Sequence, residues 1–423
     1  MTVASTLGPV GILPPGRAPA RSGTVEVWFA GALCVLAGAR FPRYEEIFAI
    51  AVIAVLLIPL WLPALSRYRG ARLAVGLGVL AVLSGITLTG LAASDHTTSE
   101  RLLIMTSARI LGIVVLIGLL LWARLRLGAP LVAVLFALGM LAVLPLQGFE
   151  ALNPWKFSLS VPIAILLLGL SWLLGRRWLD IVALIGLVGV SALNDSRSAA
   201  AMFALAAAVV AMQRIRLFEG RRRVWWALGR LGIIGYLVFL LAQAAILEGY
   251  LGVSTQQRTQ AQLELTGSVI LGGRPELGAS VALLTQQPWG YGSGTTPSMF
   301  DVLVAKSGMA SLGYDPNNGY VERYMLSPSF EVHSILGDVW ILYGALGLVW
   351  LLITMGFVFY GVAFRLTARR ISGLEVFLAT RMVWDLFFSP LYSSVSTVIL
   401  FIVVVLVRRA GPTQVAAPRR LAS

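Results

Sequence analysis

Cross-linking and metal-binding residues are scarce in this chain. One cysteine, Cys34, stands among 423 residues, so no intrachain disulfide can form. That cysteine and two histidines, His96 and His333, cannot build a zinc site without several carboxylates. Charge is scarce too: 12% of residues are charged, against about 25% in ordinary soluble domains. The chain is filled instead by apolar residues, 58% of the total, in runs of roughly 16–23 that recur from end to end. A soluble enzyme, a disordered chain and a disulfide scaffold are excluded. The pattern predicts an all-α polytopic membrane protein, because only closed hydrogen-bonding structures survive in hydrocarbon.

Twelve apolar segments are predicted: 24–39, 47–65, 73–93, 102–122, 129–146, 157–175, 178–193, 198–213, 224–245, 334–363, 373–390 and 394–407. Residues 1–23 read as a flexible basic tail with no signal-peptide cleavage pattern, and 408–423 as a second tail. With the N-terminus placed in the cytoplasm, the basic residues sort to one side. Arg67, Arg69 and Arg72, Arg124 and Arg126, Arg176 and Arg177, the run from Arg214 to Arg230, and Arg365, Arg369 and Arg370 all join the two tails there. Of the acidic residues, only Glu26, Asp180, Glu219 and Glu375 fall on that side. This positive-inside pattern predicts both termini in the cytoplasm. The net charge of +14 is then expected to meet anionic membrane lipids, not nucleic acid.

A single long polar segment, 246–332, is predicted on the outer face, where long loops carry function. Its first part, Ser254 to Ser268, is rich in Gln and Thr. A helix is expected from Pro275, with Leu277, Val281 and Leu284 on one face. Pro288-Trp289-Gly290-Tyr291-Gly292-Ser293-Gly294 reads as a turn. A second helix is expected from Ser298, with Asp301 completing a capping-box-like start. Asp315-Pro316-Asn317-Asn318-Gly319 reads as a further turn.

Charged and polar residues at the outer membrane border are the candidate site, because charge near a bilayer must be solvated, paired or functional. Arg197 opens the eighth span after Asn194-Asp195-Ser196; it is either an interfacial Arg paired with Asp195 or a fixed cation aimed at a phosphate. Lys156, one of only two lysines, follows Asn153-Pro154-Trp155 and either snorkels or contacts phosphate. Arg274 precedes the first loop helix, and His333 ends the loop, where an imidazole can accept a proton near neutral pH. Arg381 and Asp385, four residues apart in the eleventh span, read as an ion pair on one helix face.

In order and placement these residues resemble the O-antigen ligase and O-antigen polymerase superfamily of bacterial membrane glycosyltransferases. Asp195-Ser196-Arg197-Ser198-Ala199 is similar to the family's outer Ser-Arg-small motif. Arg274 and the glycine turn ending at Gly294 resemble its large-loop motif. His333-Ser334 with Gly344, and Asn153-Pro154, resemble two more; Trp155 and Ser334 stand where Asn is commoner. The resemblance implies transfer of a glycan from a polyprenyl-diphosphate donor to a glycan or glycolipid acceptor, at the outer face of a bacterial inner membrane. In that scheme Arg197 and Arg274 neutralise the diphosphate leaving group, and His333 takes the proton of the attacking hydroxyl. Lys156, Asn153 and Asp195 contact substrate, and Tyr291 and Trp289 stack on sugar faces or pack the loop. Apart from Glu45-Glu46 the outer loops hold no close carboxylate pair, so a metal-independent reaction without cofactor is expected; attack opposite the diphosphate, as the resemblance also implies, makes it inverting. A polysaccharide or lipid-linked-glycan transporter or flippase is the alternative, although the two halves do not repeat; a structural scaffold that anchors a polysaccharide complex is a second rival.

Overall fold

The computed structural model of the chain describes residues 23–39, 49–147, 153–213 and 273–409, with isolated positions between 229 and 264. Both tails, Glu45-Glu46, the arginines from Arg214 to Arg223, and most of the segments 224–245 and 254–268 lie outside the described residues. Among the described residues the structure is helical. In chain order the helices are α1 (Thr24–Ala39), α2 (Ala49–Leu56), α3 (Ile58–Trp61), α4 (Ala71–Ala92), α5 (Glu100–Leu127), α6 (Ala129–Gln147), α7 (Ser160–Leu174), α8 (Arg177–Leu193) and α9 (Arg197–Met212). The remaining ones are α10 (Glu276–Gln286), α11 (Met299–Ala310), α12 (Ile335–Thr367), α13 (Gly373–Phe388) and α14 (Leu391–Val405).

Every expected apolar segment is helical in its described part, but the segments are not equally long. Among the described residues four spans, α4, α5, α12 and Trp155–Leu174, are long and apolar enough to cross a membrane, and five if α2 and its successor count as one. The 47–65 segment is not one straight span. Pro59 and Pro63 each lack a backbone N–H, so it breaks after Leu56 and bends by 66°. α1, α6, α9 and α14 are shorter apolar helices.

α5 and α14 form the core. Ile110 to Ala123 of α5 and Val395 to Val405 of α14 are buried almost without interruption. The helices around them are apolar on their outward faces as well: Leu80 and Leu83 on α4, Val182 and Ile185 on α8, and Val349 and Leu352 on α12 are exposed. A helix in water carries a polar outer face; these faces suit hydrocarbon. The helices run between two ends. At one end, the arginine end, residues 407–409 pair with 67–69, with Arg69 N donating to Val407 O and Arg409 N to Arg67 O. Glu26 pairs with Arg126 there. The opposite end carries α10, α11 and the start of α12.

The segment before α12 is locked onto the bundle by a break in α12 itself. Gly344 takes φ 62°, ψ −154° inside the helix. That break leaves the Ile341 carbonyl to accept the N–H groups of Tyr291 (2.7 Å) and Gly292 (3.1 Å), and the Tyr343 carbonyl to accept Ser84 Oγ (2.9 Å). The glycine turn is thereby wedged between α4 and α12: Ser293 N donates to Gly85 O (3.1 Å), and Gly294 N to Thr89 Oγ1 (2.9 Å). Gly292 has φ +103°, and a Cβ there would lie 2.3 Å from Thr89 N.

The expected capping box at Ser298 and Asp301 is present, and Asn317 N donates to Asp315 Oδ1 in the expected turn. The first loop helix is present after Pro275. Ala279 and Leu283 are its buried positions, while Val281 and Leu284 share the outward face. The reason is close approach to α11: an added Cβ on Gly278 would meet Gly308 O at 2.1 Å, which selects the small-residue face.

His96, in the turn between α4 and α5, contacts Asp95 through Nδ1 (3.0 Å) and Asp301 through Nε2 (3.1 Å), tying that turn to α11. Burial draws its pKa down, but the two carboxylates outweigh it and the pKa is raised above 6.5. A raised folded pKa makes the contribution full below pH 6.5 and progressively lost as pH rises through the folded value. His96→Gln is therefore expected to lower the unfolding temperature of detergent-solubilised protein most at pH 6, with the deficit shrinking in alkaline buffer. Gly292→Ala, strained in φ and in contact, is expected to cost about 2–4 kcal/mol. A melt equal to that of the unmutated protein would contradict the wedge.

Candidate functional site

His333 sits on a backbone fixed from both sides. Ser334 caps α12, accepting Gly337 N (3.2 Å) and donating to Leu386 O on α13 (2.9 Å). Asp338 accepts Val332 N (2.8 Å) and Leu391 N (2.7 Å), joining the residue before His333 to the start of α14. Between these anchors His333 is held at φ +55°, a left-handed conformation uncommon outside glycine. Strained positions of this kind cluster at functional sites.

The ring stacks on Tyr320, with centroids 5.9 Å apart and planes 30° from parallel. Tyr320 donates its hydroxyl to Glu276 Oε1 (2.8 Å). Arg274, in the turn before α10, places its guanidinium 5.3 Å from the centroid of the Trp384 ring on α13. Its charge reaches both Tyr320 and His333. Two polar atoms in this cluster, His333 Nδ1 and Glu276 Oε2, are buried and lack hydrogen-bond partners among the described residues. Unsatisfied buried polar atoms are costly and rare, and a polar ligand would relieve them.

Burial lowers the His333 pKa below 6.5. Glu276 and the Glu331 backbone oppose the shift, Arg274 adds to it, and burial prevails. The ring is therefore neutral at pH 7 and able to accept a proton. Burial, then the adjacent Glu276, raises the Tyr320 pKa, so its hydroxyl stays protonated.

Beside this cluster lies a cavity of about 410 Å³ between α1, α6, α7, α13 and α14. Lys156 and Arg381 supply positive charge, and Ser160, Tyr392, Ser396 and Thr397 supply hydroxyls. Arg109, 5% exposed, lies 6.0 Å from the centroid of the Tyr392 ring. Arg381 Nε contacts the fully buried Asp385 at 3.0 Å. α13 joins cavity and cluster, since Arg381 lines the one and Trp384, three residues on, carries Arg274 of the other. Cations and hydroxyls above apolar walls suit a phosphate-bearing, hydroxyl-rich, lipid-like molecule.

The structure thus brings His333 and Arg274 together and sets Lys156 in the neighbouring cavity. Arg197 begins α9 and donates to Thr259 Oγ1 (3.0 Å), so its guanidinium is engaged by the chain between α9 and α10. α9 reaches α13 through the stacked pair Phe203 and Phe377, with centroids 4.9 Å apart. The Asn153 side chain donates to Asn194 O (2.6 Å) and accepts Lys156 N (2.9 Å). Together with Trp155 Nε1 donating to Ser191 Oγ (3.0 Å), it pins the start of α7 to the α8–α9 turn. Asp195 occupies a left-handed position in that turn, at φ 47°.

Tyr291 does not offer a sugar platform. It is 1% exposed, edge-on to His96 and tilted against Phe330, because the glycine turn that carries it is buried against α12. Trp289 is 72% exposed. Glu276, Tyr320, Arg109 and the cavity face of Arg381 do not follow from the motif reading. Arg109 had a signal, a lone charge inside the apolar run 102–122. Glu276 and Tyr320 had none, being 44 residues apart and joined by the fold.

Comparison with known proteins finds no match: no family model, curated protein or solved structure is similar to this chain.

Breaking the Arg381–Asp385 pair from one side leaves a buried carboxylate uncompensated. Arg381→Gln is expected to cost about 3–5 kcal/mol of stability, and Arg381→Gln with Asp385→Asn distinctly less. Equal losses in both variants, measured by thermal unfolding, would show that the pair is not coupled.

Proposed function

We propose that this protein is a membrane glycosyltransferase that moves a glycan from a polyprenyl-diphosphate donor to a hydroxyl of a glycan or glycolipid acceptor. One observation carries the reading most: a neutral, strained imidazole with an unsatisfied buried nitrogen, beside a fixed arginine and next to a cavity lined with cations and hydroxyls. The ordered motifs around Asn153, Arg197, Arg274 and His333 support it from the sequence side. In this reading the arginine end faces the cytoplasm of a bacterial inner membrane and the His333 end faces outward. The shorter apolar helices then complete a bundle of about twelve crossings.

The chemistry follows from the residue types. The acceptor oxygen attacks the anomeric carbon, and the bond from that carbon to the donor phosphate breaks. The electron pair leaves with the diphosphate, held by Arg274, Arg197 and Lys156. His333 takes the acceptor proton. Attack opposite the leaving group inverts the anomeric carbon. Glu276 acts through Tyr320, orienting the ring on which His333 stacks. Trp289 is placed to stack on a sugar.

In a purified system with lipid-linked glycan, His333→Ala is expected to slow transfer by about 10²–10⁴-fold. Arg274→Ala and Arg197→Ala are each expected to cost about 10²–10³-fold, with all three proteins still extracted from the membrane as folded monodisperse species. The rate should fall on acidification through a pKa below 6.5, as the neutral ring is lost. Full transfer by the His333→Ala protein would end the base assignment. Loss of activity in EDTA, restored by a divalent ion, would end the expectation of metal independence.

A transporter is the second reading, favoured by the 66° break after Leu56 and the break in α12 at Gly344, since broken helices frame transport sites. Movement of labelled lipid-linked glycan across vesicles without formation of a new glycosidic bond would favour it over transfer.

A further inference from the structure

At the arginine end lies a cavity of about 700 Å³ that the transfer reaction does not use. Five separate pieces of chain close it: Tyr68 before α4, the α5–α6 turn, the α7–α8 turn, the α12–α13 turn, and Arg408 after α14. Trp172, Pro130 and Ile371 give it apolar walls, and five guanidinium groups line it.

Two of the five are already engaged by the protein. Arg124 donates to the carbonyls of Val403 (2.6 Å) and Leu406 (2.8 Å) and lies 5.3 Å from the centroid of the Tyr68 ring. Arg365 pairs with the buried Glu375 (3.0 Å) and donates to the Val405 carbonyl. The other three, Arg177, Arg370 and Arg408, are exposed, and of these Arg177 acts through its charge on Asp180. The carboxylates at hand are Glu375, taken by Arg365, and Asp180, which accepts Gly373 N (3.0 Å). The cavity therefore keeps a surplus of positive charge.

That surplus selects an anion, and guanidinium geometry favours phosphate. The surroundings select a phosphate that carries hydrocarbon. Leu173, Leu174 and Trp178, next in sequence to the lining residues Trp172, Gly175 and Arg177, are exposed. A free phosphate would leave that apolar surface uncovered, whereas acyl chains would cover it.

We propose that this cavity is a stoichiometric site for the phosphate headgroup of an anionic phospholipid, whose acyl chains lie along the exposed apolar surface of α7 and α8. Its occupant ties these pieces of chain together at the membrane surface. The inference rests on the membrane reading and is independent of glycosyl transfer.

The test uses the full chain, delipidated in neutral detergent and titrated with phosphatidylglycerol under native mass spectrometry. One bound phosphatidylglycerol per chain is expected, in preference to phosphatidylcholine. Each arginine near an anionic headgroup is worth about fivefold, so the triple variant Arg177→Gln, Arg370→Gln, Arg408→Gln is expected to bind about a hundredfold more weakly. The control Arg69→Gln, Arg72→Gln, Arg409→Gln removes equal charge from another part of the same end and should retain the lipid. Equal weakening in both variants, or equal binding of phosphatidylcholine, would reduce the effect to diffuse surface charge and overturn the site. Inorganic phosphate that stabilises the lipid-free protein as much as phosphatidylglycerol does, and loses that effect in the first triple variant, would overturn the lipid assignment in favour of a free anion.

Discussion

The constraint on which the rest depends is that a backbone carbonyl surrounded by apolar side chains must find a donor. α12 violates its own hydrogen-bond ladder at Gly344, and the glycine turn at 290–294 supplies the missing donors to Ile341. A helix break and a loop that would each be unfavourable alone satisfy one another. This exchange holds the segment before α12 against α4. It thereby sets the level at which Arg274, Tyr320 and His333 stand relative to the helices. The strain at His333 is tolerated for the same reason: Ser334 and Asp338 secure the backbone on either side of it.

Charge is treated differently at the two ends of the bundle. At the His333 end, ionisable groups come in small, partly buried sets in which each member has a role: Arg274 over Trp384, Arg381 with Asp385, and Tyr320 with Glu276. Low dielectric strengthens those pairings and makes an unpaired member costly, which specifies geometry. At the arginine end, inward-reaching guanidiniums are likewise tied to carbonyls or to Glu375, while Arg177, Arg370 and Arg408 remain at the surface. The first arrangement suits chemistry on a bound molecule, the second attraction of an anionic surface.

Legibility in the sequence followed the range of the interaction. The Ser298–Asp301 capping box and the Arg381–Asp385 pair span three and four residues, and both are present. Helix limits were close to those expected because apolar runs are local. The bend after Leu56 is written in Pro59 and Pro63, yet its 66° angle depends on packing against α5 and the core. The hydrophobic pattern put Val281 and Leu284 on one face of α10 but did not say which face turns inward; Gly278 drawing the helix toward Gly308 decides that, a contact made by the absence of a side chain. The sequence left Tyr291 either to stack on a sugar or to pack the loop, and the buried turn has it packing the loop.

The sequence by itself determined the class of protein: scarce charge and long apolar runs leave few folds other than a helical bundle suited to lipid, and the sorted arginines mark its two ends. Charge beside apolar runs is conspicuous, and it singled out His333, Arg274 and Arg197 as candidates. The tertiary structure alone decided which groups meet. It set Tyr320 against His333, Glu276 against Tyr320 and Arg381 into the cavity with Lys156. The physical reason is separation along the chain: these partners are held together by packing between helices, and packing leaves no periodic trace at either partner.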